Sequence, residues 1–486
     1  MYNLPEEIIL CILLKLYDTI DVINFSLTNK YNRNLIIKNK NIFNCVSNLN
    51  NKIIHKINNY NIIGKLNVKV KNINDLDHID ELKKINKLNL SKYINIRDVS
   101  ILRNIENLDL SFCDGITDVS MLKNVKKLNL LKCKNIKDVS MLGNLEELNL
   151  GYCNKITDIS MLGNLKKLNL TGCFRIKDIS MLENLKELDL SFCCISDISM
   201  LGNVKKLNLS GCFITDVSML GNVTELDLSF CKNITDVSML GNCKELNLSH
   251  CRNITDVSNL GNLISLNLSG CFISDVSMLG NVEELDLSSC DNITDISRLI
   301  NVKKLNLSDC RNITDVSMLG NCEELNLYNC KNISDVSNLG NVEELNLSYC
   351  RNIKDVSMLT NVKKLNLLWC ENISDVSMLG NVQKLNLSNC YEITDVSMLG
   401  NCEELNLSYC IKITNVSNLG NVEKLNLTWC YEIYDVSMLG NVKKLNLSGC
   451  FKIKDVSNLG NCEELDLSHC KIKDISMLVN VKNLKL

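Results

Sequence analysis

Histidine is almost missing from this chain: His55, His78, His250 and His469 are the four among 486 residues, and Pro5 is the single proline. So few imidazoles leave little material for a zinc site, which needs three or four donors converging on one point. Charge of one sign is missing too. The 53 Lys and Arg and 56 Asp and Glu are interspersed and nearly balance at −3, where a dedicated nucleic-acid binder would show a basic stripe. The apolar run "IILCILL" at residues 8–14 is too short to span a bilayer, and Glu6 and Glu7 stand where a secretion signal needs cations. The expected compartment is therefore reducing, the cytoplasm with the nucleus also open, and thiols there stay free. No glycine-rich phosphate loop is visible, and no Ser, His and Asp stand out together. No catalytic residue, metal or cofactor is expected, and the chain is not read as an enzyme.

What is present is repetition. Aligned on its Leu-x-Leu pairs, the chain holds 21 copies of one unit, from Leu88-Asn89-Leu90 to Leu484-Lys485-Leu486, with a degenerate copy at Leu66-Asn67-Val68. The unit reads V-x-x-L-[ND]-L-S-x-C-x-x-I-x-D-V-S-x-L-G-N. A fixed period of 20 residues predicts a solenoid, in which each turn buries its apolar side against its neighbours. The L-[ND]-L-S alternation predicts a short strand with leucines inward, and stacked turns make one parallel sheet. In "ITDVSML" the Asp accepts from free backbone N–H groups and starts a tight turn. So few residues predict 3-10 or irregular turns on the convex side. Copies after Cys193, Cys212, Cys271 and Cys470 lose one residue before the Ile, which marks a surface loop.

Nineteen of the 26 cysteines share one slot, from Cys113 to Cys470. A line of one thiol per turn does not converge on a metal, and neighbouring thiols run parallel, against disulfide pairing. Cys243, Cys322, Cys402 and Cys462 replace the Val, Leu or Ile of another core slot. The slot cysteines are therefore read as small apolar filler with a weak S–H donor.

At the amino terminus Pro5 and two glutamates suit a helix start, and Ile8, Ile12 and Leu16 form one stripe. Second and third helices are expected after Asp21 and over the "YNRNLI" segment. The domain reading is a helical module over 1–45, a linker or N-terminal cap over 46–64 and the solenoid over 65–486.

The V-x-x-L-x-L-x-x-C-x-x-I pattern resembles the leucine-rich repeat family over about 85% of the chain. Its cysteine resembles the cysteine-containing subclass found in F-box proteins, and the "ITDVSMLGN" half is similar to the short repeats of bacterial internalins. The fold class implied is an α/β repeat solenoid, a leucine-rich-repeat horseshoe preceded by a small helical module. That module resembles the F-box. Leu4, Pro5, Glu7 and Ile8 meet its opening, Ile12, Leu13 and Leu16 its next segment, and Asp21 and Val22 a third. Ser26, Leu27, Thr28, Asn29 and Lys30 follow, whereas Tyr31-Asn32 and the lack of a proline after Leu16 depart from the pattern. The resemblance implies a substrate-recognition adaptor of an SCF-type, cullin–RING ubiquitin ligase. Leu4, Pro5, Glu7, Ile8, Ile12, Leu16, Val22 and Phe25 would dock on its Skp subunit and the repeats would hold a protein substrate. The alternative is a non-enzymatic repeat scaffold for protein–protein interaction, its N-terminal helices serving only as a cap. The Asn- and Lys-rich, nearly proline-free usage is similar to that of giant viruses of amoebae or AT-rich protists.

Between the leucines the sequence is monotonous, Asn or Asp in every copy but the last, and carries little information for choosing a partner. The charged pairs ahead of them vary, and Glu323-Glu324 beside Glu343-Glu344 predicts an acidic patch. Variety surrounds the cysteine. Tyr349, Trp369, Tyr391, Tyr409, Trp429 and Tyr431 cluster near the C-terminal end with both tryptophans of the chain, and such residues are typical interface anchors. They are the substrate-contact candidates. In the Gly-Cys-Phe copies the glycine is expected to leave room for Phe174, Phe213, Phe272 or Phe451 to fold back as packing. The last strand predicts weak self-association through an open edge; otherwise a monomer is expected.

Overall fold

The computed structural model describes residues 46–49, 67–70 and 87–486, the first two segments as backbone only. The helical module expected over 1–45, with Leu4, Pro5, Glu7, Ile8, Ile12, Leu16, Val22 and Phe25, lies outside the described residues.

Two compact units divide the chain near residue 231. In the first, a parallel ladder runs from Val46–Leu49 through Asn67–Val70 and Lys87–Asn89 to Glu225–Asp227. The degenerate copy at Leu66 thus carries a strand, and a further strand, Val46–Leu49, falls in the 46–64 stretch. The second unit is a parallel ladder from Glu245–Asn247 to Asn483–Lys485. Register is set by the period: Leu305 faces Leu325, which faces Leu345. A slip by one residue would expose every leucine.

The inner turns bury the same set, whereas in the last one Ile475 and Leu486 are exposed. In one inner turn, Leu325, Leu327, Cys330, Ile333, Val336, Leu339 and Val342 are each at most 2% exposed. The outer segment is a single 3-10 turn in most copies, such as Ser337–Leu339, closed by Leu339 N donating to Val336 O at 3.0 Å. Its start is fixed as the sequence predicts: Ser337 N donates to Asp335 Oδ1 at 2.9 Å. Such bonds hold the exposed Asp335 and Asp375 carboxyls below the usual carboxylate range. Asn415 makes the equivalent contact to Ser417 N at 3.0 Å without charge.

Two structural roles were not read from the sequence. The glycine after the outer turn lets the next turn approach: a Cβ on Gly380 would sit 2.6 Å from the Met398 carbonyl oxygen. The strand Asn is an Asx turn as well as a ladder rung. Asn326 Oδ1 accepts from Tyr328 N at 3.1 Å and from Asn346 Nδ2 at 2.9 Å.

Candidate interaction surface

After each strand the chain reverses in a four-residue turn. In the second unit Leu327 O accepts from Cys330 N at 3.1 Å, and the residue between strand and cysteine, Asn329, has φ +58°. A positive φ at the third turn position is the type II geometry, which favours Gly and Asn. The slot before the cysteine is therefore left-handed in turn after turn. Gly172, Gly211, Gly270 and Gly449 fill it without strain, whereas Phe112, Tyr152, Phe192, Phe230, Tyr349, Trp369, Tyr409 and Trp429 fill it with bulky rings. A left-handed non-glycine residue costs about 1–2 kcal/mol. Lys132, His250, Ser289, Asp309 and His469 share the conformation, so it belongs to the turn itself.

The cysteine itself turns inward. Cys350 is fully buried, and its Sγ donates to Leu327 O of the preceding turn at 3.0 Å; Cys370 repeats this toward Leu347 O at 3.1 Å. Each thiol thus supplies a second donor to a buried carbonyl that its own turn satisfies once. Burial pushes the Cys350 thiol up to about 12 and Cys113 up to about 11, far from the thiolate that nucleophilic or metal chemistry requires. Every described cysteine is a free thiol. Among the described residues no three His, Cys, Asp or Glu side chains gather to hold a metal ion.

The six aromatic candidates fall into two ladders within the second unit. Tyr349 stacks on Trp369 with centroids 5.9 Å apart, Tyr391 meets Trp369 edge-on at 5.7 Å, and Arg351 lies 5.7 Å from the Trp369 ring centroid. Tyr328, which was not singled out, extends this ladder edge-on to Tyr349 at 5.3 Å. In the second ladder Tyr409 stacks on Trp429 at 6.3 Å, and Tyr431 and Phe451 meet Trp429 edge-on at 6.3 and 5.3 Å. Asn389 occupies the slot between the ladders, and its Oδ1 accepts from the Tyr391 hydroxyl at 3.2 Å. Tyr409 is exposed and the other five candidates are half-buried.

The glycines behave differently from expectation. A Cβ on Gly449 would fall 2.7 Å from Trp429 Cδ2, and one on Gly172 2.7 Å from Tyr152 Cδ1. The space over the glycine is filled by the preceding turn's ring, not by the Phe that follows the cysteine. Phe213 is 68% exposed, while Phe272 lies 5.4 Å from the Arg252 guanidinium and Phe451 meets Trp429 edge-on.

Beside these ladders the outward strand residues of the second unit line a trough of 1070 Å³ with a Lys/Glu row and an Asn/Asp row. Glu324 faces Glu344 in register, as the acidic patch requires. Lysines flank it: Lys304 lies 3.4 Å from Glu324, and Lys363 and Lys364 pair with Glu343 and Glu344. Solvent screens exposed pairs of this sort, and each contributes little to stability.

Residues 143–184 match the family model for leucine-rich repeats in two copies, and residues 182–201, 222–240 and 281–297 match a single-repeat model. Leucine-rich repeats are thus established at these turns. No curated protein matches the chain. Among solved structures, a leucine-rich-repeat protein of Leptospira interrogans is 18% identical, covering 86% of this chain and 99% of its own, with a TM-score of 0.41. The functional domain of InlJ from Listeria monocytogenes, which includes a cysteine ladder, is 21% identical over 72% of this chain and 71% of its own, at 0.37. The Listeria monocytogenes internalin InlF is 22% identical over 68% and 82%, at 0.33. None of these three likenesses bears on what this chain binds. No described helix is long and apolar enough to cross a membrane.

Proposed function

We propose that this chain is a protein-binding repeat scaffold that serves as the substrate-recognition adaptor of an SCF-type ubiquitin ligase. Leucine-rich repeats, present at the matched turns, support the scaffold part. The observation that carries it further is the pair of aromatic ladders. Trp369, Tyr349, Tyr409 and Trp429 sit in a left-handed slot that Gly or Asn fills without strain elsewhere in the chain, and they present rings at the surface where anchors of an interface belong. The substrate is a protein held by Tyr349, Trp369, Tyr391, Tyr409, Trp429 and Tyr431.

The adaptor part rests on the sequence pattern of the first forty residues. Leu4, Pro5, Glu7, Ile8, Ile12, Leu16, Val22 and Phe25 form the contact with the Skp subunit, and the chain itself performs no chemistry. Co-precipitation of the Skp subunit with the full chain tests this, with Leu4→Asp/Ile8→Asp as the disrupted control. Capture lost in the control supports the adaptor. Capture that never occurs, or that survives the control, leaves the repeat scaffold with its N-terminal helices as a cap.

A further inference from the structure

The outer side of the repeats carries a feature that this reading does not use. Fourteen of the 15 methionines occupy a single slot, the middle of Ser-x-Leu in the outer turn. In the second unit Met358, Met378 and Met398 come in consecutive turns and are 59, 53 and 58% exposed. The buried residues of these turns are the Val and Leu on either side of the Ser-Met pair, so the methionines contribute little to the core. A polar residue also fits this slot. Asn259, Asn338, Asn418 and Asn458 stand there in other turns, and the amides of Asn418 and Asn458 donate to the Ser carbonyl of the preceding turn, at 3.2 Å in both cases. Methionine makes no such bond. The stripe therefore keeps an exposed, flexible, polarisable side chain where a self-satisfied one fits, which is the character of adaptable binding surfaces.

Charge specifies the partner. Three residues before each methionine stands an exposed aspartate: Asp355, Asp375 and Asp395 here, with Asp315 and Asp335 in the two preceding turns. Each is tied to a Ser backbone N–H that keeps it ionised. Across these five turns the residue preceding the Asp is Thr, Ser, Lys, Ser and Thr, so Lys354 is the one cation in that row. An apolar line thus runs beside an anionic line. Successive strands lie about 4.8 Å apart, close to the 5.4 Å pitch of an α-helix. A helix laid along these five turns meets Met318, Met358, Met378 and Met398, with Asn338 in the slot of the remaining turn.

We propose that this outer face docks a basic amphipathic helix, its Leu or Phe side chains on the methionines and its Lys or Arg side chains on the aspartates. Five turns span roughly 20 Å, the length of about 13 helical residues. The proposal is independent of the aromatic ladders and of the N-terminal module.

The test uses the full chain and a fluorescein-labelled 14-residue Leu/Lys peptide with its leucines on one helical face, titrated by anisotropy. A scrambled peptide of the same composition, its leucines spread round the helix, is the control. Met358→Asn/Met378→Asn/Met398→Asn follows the chain's own precedent at Asn418, so the fold is retained, as an unchanged thermal melt checks. Asp355→Asn/Asp375→Asn/Asp395→Asn follows the precedent at Asn415. Each triple variant is expected to weaken binding at least tenfold, and the second also flattens its salt dependence. Met378→Arg, with precedent at Arg298, places a cation in the line and should have the same direction of effect. Equal binding of the scrambled peptide overturns the proposal, as does full affinity in the methionine variant. So does a methionine-dependent occupant of another kind, either a second copy of the chain by sedimentation or a phosphatidylcholine/phosphatidylglycerol vesicle.

Discussion

Replacing Cys350 separates a packing role for the thiol ladder from a chemical one. The side chain is fully buried, its Sγ donating to Leu327 O at 3.0 Å and lying beside the Cys330 backbone N–H. Cys350→Ala removes a group about the size of one methylene, worth about 0.8 kcal/mol of transfer free energy. The small void that remains adds about 0.5 kcal/mol. The Leu327 carbonyl keeps its bond from Cys330 N, so no acceptor is orphaned, and the expected loss is about 1.3 kcal/mol. Cys350→Asp keeps a similar volume but brings a carboxylate to an acceptor. It would face the Leu327 carbonyl oxygen with a single backbone N–H, that of Cys330, beside it, so burial of the charge goes largely uncompensated and the loss is on the order of 4 kcal/mol or more. Urea unfolding followed by circular dichroism measures both, and hydrogen exchange over residues 330–370 localises the damage in an array whose turns can open separately. Equal destabilisation by Ala and Asp refutes the packing account.

Other outcomes follow from the same geometry. Ellman's reagent in native protein should label exposed Cys194 rapidly and leave the buried thiols, raised to about 11–12 in cases such as Cys113 and Cys350, unreacted until urea is added. Gly380→Ala should cost about 1–3 kcal/mol by melting, because its methyl overlaps the Met398 carbonyl oxygen. Trp369→Gly/Trp429→Gly should be destabilising on balance without unfolding the array: the rings lose their partners Tyr349, Tyr391, Tyr409, Tyr431 and Phe451 at about 0.5–1.5 kcal/mol per pair, against relief of left-handed strain of about 1–2 kcal/mol per site. Substrate capture should nevertheless be abolished, and retained capture removes these residues from the interface. The aspartates capping the outer turns have depressed folded-state pKa values, so the unfolded chain takes up their protons first. Their stabilisation is complete above about pH 4, the unfolded carboxylate value, and is lost as pH falls through the folded values. An acid titration followed by circular dichroism should therefore show a decline beginning near pH 4.

Much of this architecture was legible because it repeats. The leucine spacing gave strand, register and core, and the Asp-x-Ser pattern gave the outer turn and its cap. The exchange of Cys with Val at Cys322 and Cys402 gave the burial of the thiols. What escaped depends on backbone dihedrals and on contacts between turns, which a periodic pattern does not display. The left-handed slot did leave a trace, the mixture of Gly, Asn, Asp, Ser, Lys, His and aromatic residues before the cysteine. That mixture looked like variety in recognition when it also records a turn that tolerates few residues comfortably. The contact of Gly172 and Gly449 with the preceding rings lies between turns, so no single copy of the repeat shows it. The aromatic candidates were recognisable by type, but their division into two ladders around Asn389 was not.

The measurement that tests the central claim most directly is a calorimetric titration of purified Skp subunit into the purified full chain. The adaptor account predicts saturable binding at one subunit per chain, abolished by Leu4→Asp/Ile8→Asp and unaffected by Trp369→Gly/Trp429→Gly. No binding, or binding indifferent to Leu4 and Ile8, contradicts it.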